Sequence, residues 1–312
     1  MLARIANNLY WTGRYLERSE HLARYLSLQY TSMLDAPMSQ GRDFTLASIQ
    51  NMYGVEPAPG VAAKENEVLG LVGMSYDTSL SIRSTIRAAR ENASSLRHVI
   101  STELWQSING YYLFANEYDP NYFVTHGLHE FTEEVGKHCA IVRSRIDDTI
   151  LHDDNWVLIK LGIHLERTAQ VIRILNSKLH DIEVMAERGA APALRQYQGT
   201  VVLKILEGFD MHQKINRRRL TPKSMLEFVV VHPHFARSLT YNTRAVLRLL
   251  ERLECDSSNQ QNELLFLAGR LHAKFRYLEY DRVKEGVSSH LEESLAEVYA
   301  LHVAIAEAYF PS

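Results

Sequence analysis

Two cysteines in 312 residues, Cys139 and Cys255, exclude a disulfide framework, and neither stands in a zinc-binding spacing. Such sparse cysteine fits a reducing compartment. Eight prolines and 15 glycines leave few obligatory chain breaks, which favours helix. No apolar run approaches the roughly 18 residues a membrane-spanning helix needs. The opening residues Met1 to Asn8 lack the apolar stretch of a secretory signal. A cytoplasmic location away from the membrane is therefore expected. Charge of one sign is also missing: 34 Lys and Arg face 37 Asp and Glu, for a net charge of −3. The chain as a whole has no field to gather nucleic acid or anionic membrane. Glycine-rich phosphate loops, a Gly-x-Ser-x-Gly elbow and a Rossmann fingerprint are absent, so no cofactor is assigned and ATP chemistry would fall to a partner.

What is present is an ordinary globular balance, 46% hydrophobic and 23% charged, in a chain long enough to bury a large core. Apolar residues recur at helical spacing almost throughout. Leu2, Ile5, Leu9, Leu16, Ala23, Leu26 and Tyr30 form a heptad seam thinned by Thr12 and Ser19. A second seam holds Leu158, Leu161, Leu165, Thr168, Ile172 and Leu175. Residues 35–66 carry clustered Pro and Gly and read as loop with one short helix near 43–52. Further helices are expected over about 66–94, 95–115, 122–148, 193–209, 222–231, 235–254, 258–284 and 287–309. Asn155 or Asp154 is positioned to cap the helix that begins near Trp156. Phe228 to Val231 has strand propensity but no partner strand, so it reads as buried helix. The expected fold is all-α, a multi-helix bundle of long helices in one domain over 1–312, with an irregular insertion at about 35–66.

Two segments inside the seams look alike. Residues 13–26 read Gly-Arg-Tyr-Leu-Glu-Arg-Ser-Glu-His-Leu-Ala-Arg-Tyr-Leu, and residues 162–175 read Gly-Ile-His-Leu-Glu-Arg-Thr-Ala-Gln-Val-Ile-Arg-Ile-Leu, with six of 14 positions identical. In both, Glu-Arg directly follows a seam leucine, and a second Arg, Arg24 or Arg173, stands six residues after the first. Adjacent residues do not face each other on a helix, so Glu17 is in reach of Arg14 and Glu20 of Arg24, while Arg18 is turned toward another helix or a ligand. Three readings stay open: a solvated charged face, a buried network that sets helix register, and a ligand-contacting site. The shared pattern also suggests internal duplication of the two halves.

The run Asn8-Leu9-Tyr10-Trp11-Thr12-Gly13-Arg14-Tyr15-Leu16-Glu17-Arg18-Ser19-Glu20 resembles the alpha-E family, all-helical proteins of unknown function named for a Glu-Arg motif. Ala89 to Ala93, Ser101 to Trp105, Gly162 to Arg167, Arg217 to Arg219 and Phe235 to Leu239 are similar to later blocks of that family. Ala236 stands where the family often has proline. The resemblance implies genomic company. Such proteins are encoded beside, or fused to, circularly permuted ATP-grasp proteins, with transglutaminase-like proteins in the same neighbourhoods. The implied role is an accessory or partner subunit of an ATP-grasp-type peptide or amide ligase system. It would dock the ATP-grasp protein or an anionic substrate terminus through Arg14, Arg18, Arg90 and Arg167. The binding or structural network so defined is Arg14, Glu17, Arg18, Arg90, Glu166, Arg167 and Arg173. The alternative is an enzyme in its own right, with a site between the two Glu-Arg helices and Glu17 or Glu166 as base. A neighbouring Arg lowers a carboxylate pKa, which opposes that task.

Other constellations are weaker. Glu130, Glu134 and His138 share one helical face with His126, but the Glu-x-x-His pairs of bundle metal centres are absent, and no metal is assigned. Asp147-Asp148 and Asp153-Asp154 lack the spacing of a magnesium-binding Asp-Asp-x-x-Asp motif. Arg83, Arg87 and Arg90 fall on one helical face and Arg97 continues it. Guanidinium forks suit carboxylate and phosphate, though pairing with the chain's own acids would serve equally. No basic–aromatic stripe is visible, so nucleic acid is not an expected partner, and the seams allow but do not require a dimer.

Overall fold

The computed structural model describes residues 2–35, 41–55, 64–189, 191–217, 220–253 and 258–311. Among them the chain is all-α, with no strand. Its contacts cluster into two units, Met1–Ile163 and His164–Ser312. Cys255, Arg218 and Arg219 lie outside the described residues.

The first unit is built around α1 (Ala3–Asp35). The seam residues Leu9, Leu16, Ala23 and Leu26 are buried, whereas Leu2 is exposed. Thr12 and Ser19, which thin the seam, are buried too, because each hydroxyl donates to a carbonyl of the preceding turn, Asn8 and Leu16 respectively. α1 is also buried well beyond its seam, at Tyr10, Arg14, Glu17, Glu20, His21, Leu22 and Tyr25. A helix buried on most sides needs several neighbours. It packs on α4 (Ile82–Ser95) and α7 (Leu128–Asp148), and α5 (Thr102–Glu117) closes the ring by packing on both α4 and α7. The short helices α2 (Arg42–Tyr53) and α3 (Glu65–Gly73) complete this side, with α2 against α1 and Tyr53 donating its hydroxyl to Leu22 O. α2 falls inside the irregular insertion, where the sequence reading placed its short helix.

Several boundaries differ from the sequence reading. The helix expected over 66–94 is two, α3 and α4. Ser81 caps α4 by accepting from the Ser84 N–H, and its own hydroxyl donates to the Ser75 carbonyl, folding the connection back. The stretch before α7 is a turn of helix, α6 (Pro120–Tyr122), followed by a π-helical turn Phe123–Gly127. α8 (Asp154–Glu187) is capped by Asp153, not by Asp154 or Asn155: its carboxylate accepts from the N–H of Asn155 at 3.0 Å and of Trp156 at 3.4 Å.

In the second unit, the remainder of α8 carries the seam residues Leu165, Thr168, Ile172 and Leu175, all buried. α9 (Pro192–Ile205), α10 (Phe209–Ile215) and α11 (Pro222–Leu226) follow. Glu227–Val231 is a π-helical turn with Phe228, Val229 and Val230 buried, so the β-prone run is helical as its flanks required. α12 (Leu239–Leu250) starts at Ser238, which accepts from the Tyr241 N–H. α13 (Ser258–Arg276), the turn α14 (Tyr280–Val283) and α15 (Val287–Tyr309) end the chain, with α13 packed between α12 and α15.

Candidate functional site

The site starts from two glycines. A Cβ built on Gly13 of α1 would collide with the Ile159 carbonyl oxygen of α8, and would lie 3.1 Å from Ile159 C and 3.2 Å from Ile163 N. A Cβ on Gly162 of α8 would collide with the Tyr10 carbonyl oxygen, 3.1 Å from Tyr10 C and 3.2 Å from Arg14 N. Each glycine thus sits over the carbonyl three residues before the other. Only glycine lets two helix backbones approach so closely. In the sequence, each glycine of the crossing stands four residues before its Glu-Arg pair.

One turn past Gly13, α1 presents a buried polar cluster. His21 Nδ1 lies 3.3 Å from Glu17 Oε1 and 3.1 Å from the Glu17 carbonyl oxygen. Both are acceptors, so this nitrogen carries the proton. Glu20 is held from two helices: Arg24 donates to one carboxylate oxygen and Arg143 of α7 to the other. Burial alone would lower the Arg143 pKa, but the Glu20 carboxylate, with help from Glu17, holds it above its ordinary value. Beside them Tyr111 of α5 donates its hydroxyl to Ser19 Oγ at 3.0 Å, and Cys139 Sγ lies 3.6 Å from the Tyr111 hydroxyl. Burial, then the charge of Glu20, pushes the Cys139 thiol up to about 12. A thiol so raised is neither nucleophile nor metal ligand at neutral pH. Leu16, Glu17, Cys139, Arg143 and Ile163 line a small cavity with room for about one water molecule.

The second Glu-Arg motif repeats part of this chemistry in its own unit. Glu166 is buried and accepts from Gln170 Nε2 at 2.7 Å, the same four-residue step as Glu17 and His21. Thr168, like Ser19, returns its hydroxyl to the preceding turn. Arg167 points an amino group toward the Ala236 carbonyl at 3.5 Å, and His164 Nδ1 is 2.9 Å from Asn242 Oδ1. Asn242 in turn donates to the Ala236 and Ser238 carbonyls, so this motif ties α8 to the loop that enters α12. Arg173 donates to the Tyr299 hydroxyl at 2.7 Å. Nearby, Lys178 is fully buried against Asp181 at 2.5 Å, with burial lowering its pKa and Asp181 opposing the shift.

Arg14 is buried, its guanidinium 4.6 Å above the Trp11 ring and 5.7 Å above Tyr10. Arg18 is partly exposed over Tyr15 at 5.8 Å. Arg90 belongs to a different group, on the α4–α5 face between Trp105 and Tyr112. The His126 to His138 face is divided among other partners. Glu134 pairs with Lys137, Glu130 accepts from the Tyr122 hydroxyl, and His138 stacks on Tyr111 and Phe114, where burial lowers its pKa. Among the described residues no group of three His, Cys, Asp or Glu side chains is arranged to hold a metal.

Sequence reasoning missed Arg143, His21, Tyr111 and Cys139 as members of the first cluster. Nothing in a single sequence pairs α5 and α7 residues with α1. It also found no basic–aromatic stripe, and the structure corrects this: Arg83, Arg87, Arg90 and Arg97 lie over Tyr76, Trp105 and Tyr112, rings that come from other segments.

The fold is that of an all-helical protein in which each of the two units carries one Glu-Arg pair. The chain belongs to the Alpha-E family, described as a predicted alpha-helical domain with a conserved ER motif, whose model matches residues 1–310. It is similar to the uncharacterized protein Rv2567 of Mycobacterium tuberculosis (strain ATCC 25618 / H37Rv), at 19% identity over 322 residues, 97% of this chain and 35% of that protein. The uncharacterized protein Mb2597 of Mycobacterium bovis matches with the same identity and coverage. The chain therefore spans about a third of the length of these curated relatives. No solved structure matches it. Among the described residues no helix is long and apolar enough to cross a membrane.

Proposed function

We propose that this chain is a binding subunit of an ATP-grasp-type peptide or amide ligase system, docking the ATP-grasp partner or an anionic substrate terminus, with the chemistry performed by that partner. The resemblance to alpha-E proteins motivates the reading, and one observation carries its non-catalytic part. Both motif glutamates are buried and bonded to the side chain four residues on, and the cavity beside Glu17 admits about one water molecule. A general base needs its substrate within hydrogen-bond reach, and the cavity beside Glu17 is too small to hold one. The Glu-Arg motifs then act as register-setting networks inside each unit, the role best attested for buried ion pairs. Docking falls to arginines that reach the surface, Arg18 and the α4 row that includes Arg90.

Co-expression with a circularly permuted ATP-grasp protein tests this. The expected result is a stable complex that releases ADP, given a peptide and amino-acid panel, only when both chains are present. Absence of a complex together with unchanged ATP-grasp turnover would overturn it.

We also propose that the two Glu-Arg segments arose by duplication. The reciprocal glycine contact and the matching Glu17–His21 and Glu166–Gln170 steps support this. Superposing the units on residues 13–26 and 162–175 should bring Leu16 onto Leu165 with the neighbouring helices in register. Unrelated helix paths would refute it.

A further inference from the structure

Along the α4–α5 face, four arginines are held over aromatic rings rather than over carboxylates. Arg83 and Arg87 share Tyr76, at 4.7 and 4.5 Å from the ring centre. Arg90 and Arg97 share Trp105, at 5.5 and 5.3 Å, and Arg90 also lies 5.2 Å from Tyr112. Their hydrogen bonds among the described residues go to neutral groups. Arg83 donates to the Asn116 carbonyl, Arg90 Nε donates to Asn109 Oδ1 at 3.3 Å, and Tyr76 donates to Asn116 Oδ1 at 2.7 Å. Arg83 Nε is buried and has no hydrogen-bond partner among the described residues, so Arg83 offers its amino groups rather than this edge. Among the described residues a single acid, Glu91, pairs with the row, 3.7 Å from Arg87 in an exposed i, i+4 pair of the kind that contributes little. The two acids of α5, Glu103 and Glu117, stand at its ends.

We propose that this face is a docking surface for an acidic peptide segment whose carboxylates are spaced about 6 Å apart. Rings beneath the guanidinium groups leave their N–H edges as the recognition elements, and those edges match carboxylates two bonds at a time. The rings and amides also restrict the long side chains before binding, which reduces the ordering cost of capture. Arg83, Arg87 and Arg90 span two turns, about 10 Å of helix, with steps of about 4.5–6 Å. Acidic side chains on alternate residues of an extended peptide repeat at about 6.6 Å, and those at i and i+4 of a helix at about 6 Å, so either fits. Single-stranded nucleic acid fits less well. It wants open aromatic faces for base stacking, and here Tyr76 and Trp105 are each shared by two guanidinium groups. The chain's net charge of −3 also gives no long-range attraction for a polyphosphate.

The proposal deepens the binding-subunit reading by naming the chemistry of its partner, and it is tested on the isolated chain, so the two can fail separately. Binding of a fluorescent oligoglutamate peptide is measured by anisotropy at low salt, beside an oligothymidylate of matched charge. The expected result is salt-sensitive peptide binding, tighter than the oligonucleotide, weakened about tenfold or more in the Arg87→Glu/Arg97→Glu double variant. Arg90→Lys, which keeps the charge and loses the fork, should weaken binding several-fold with an unchanged melting temperature, and it carries the test if the double variant does not fold. Absence of peptide binding, equal binding by the variants, or tighter binding of the oligonucleotide would each overturn the assignment. None of these outcomes bears on ADP release by a complex.

Discussion

Glu20 shows what a single buried charge does in this protein. It is buried, and its two oxygens receive Arg24 from one turn along α1 and Arg143 from α7. Desolvating three charged groups is costly, and the cost is offset only while all are present. Removing the carboxylate takes away the counter-charge that the two guanidinium groups share. Glu20→Ala is therefore expected to lower unfolding stability by about 3 kcal/mol, the lower end for a broken buried pair, because Arg143 is about a third exposed and water screens it. Urea unfolding measures this; a loss under about 1 kcal/mol would mean that the cluster is solvated. Cys139 and Tyr111 are the passive members of the same cluster. Their pKa values are raised chiefly by burial, which keeps both neutral and fixes the polar chain through Ser19.

At the scale of elements, the α1–α8 crossing in the first unit leaves no room for a side chain at Gly13 or Gly162. A methyl group at either glycine meets a backbone carbonyl, which cannot rotate away as a side-chain tip can. Gly13→Ala and Gly162→Ala should each destabilise by about 1–3 kcal/mol through forced separation of the helices, despite the better helix propensity of alanine. Once one methyl has separated the backbones, the second meets less resistance. The double variant should then lose clearly less than the sum of the singles, as expected for residues in one contact. A thermodynamic cycle from denaturant unfolding reads this directly, and full additivity would show that the two glycines do not share one crossing. The helix starts follow a simpler rule: Ser81, Ser101, Asp153 and Ser238 each accept an N–H of the first turn.

At the scale of the whole molecule, five histidines, His138, His212, His232, His272 and His290, share a lowered pKa whose leading cause is burial. His272 is pushed further down by Arg244 and Arg276. A histidine depressed in the folded state binds fewer protons there than when unfolded, where it titrates near 6.5. Its stabilising effect is complete above that value and is lost as pH falls through it toward the folded pKa. Since the five are distributed over both units, the melting temperature should decline steadily from about pH 7 to pH 5. Differential scanning calorimetry across that range checks it, and a flat profile would show that these rings titrate freely.

The one-dimensional pattern by itself determined the all-helical class, the two long seams and the repeat of the Glu-Arg segment. Apolar spacing and capping chemistry are local, and they survive without knowledge of neighbours. The placement of a short helix inside the 35–66 insertion was legible for the same reason. Boundaries were less so: the break before α4 depends on Ser81 reaching back to Ser75, and the π-helical turn at Glu227–Val231 replaces the end of an expected α-helix. The candidate residues Glu17 and Glu166 were readable from their repeat, but their burial and their partners His21 and Gln170 were not. Tertiary structure alone decided that Glu20 joins α1 to α7 and that Arg90 meets rings carried by α5. The physical reason is one of range. Helix formation is set by neighbours within four residues, whereas a polar cluster or an arginine–aromatic face exists only after separate segments of the chain have packed side by side.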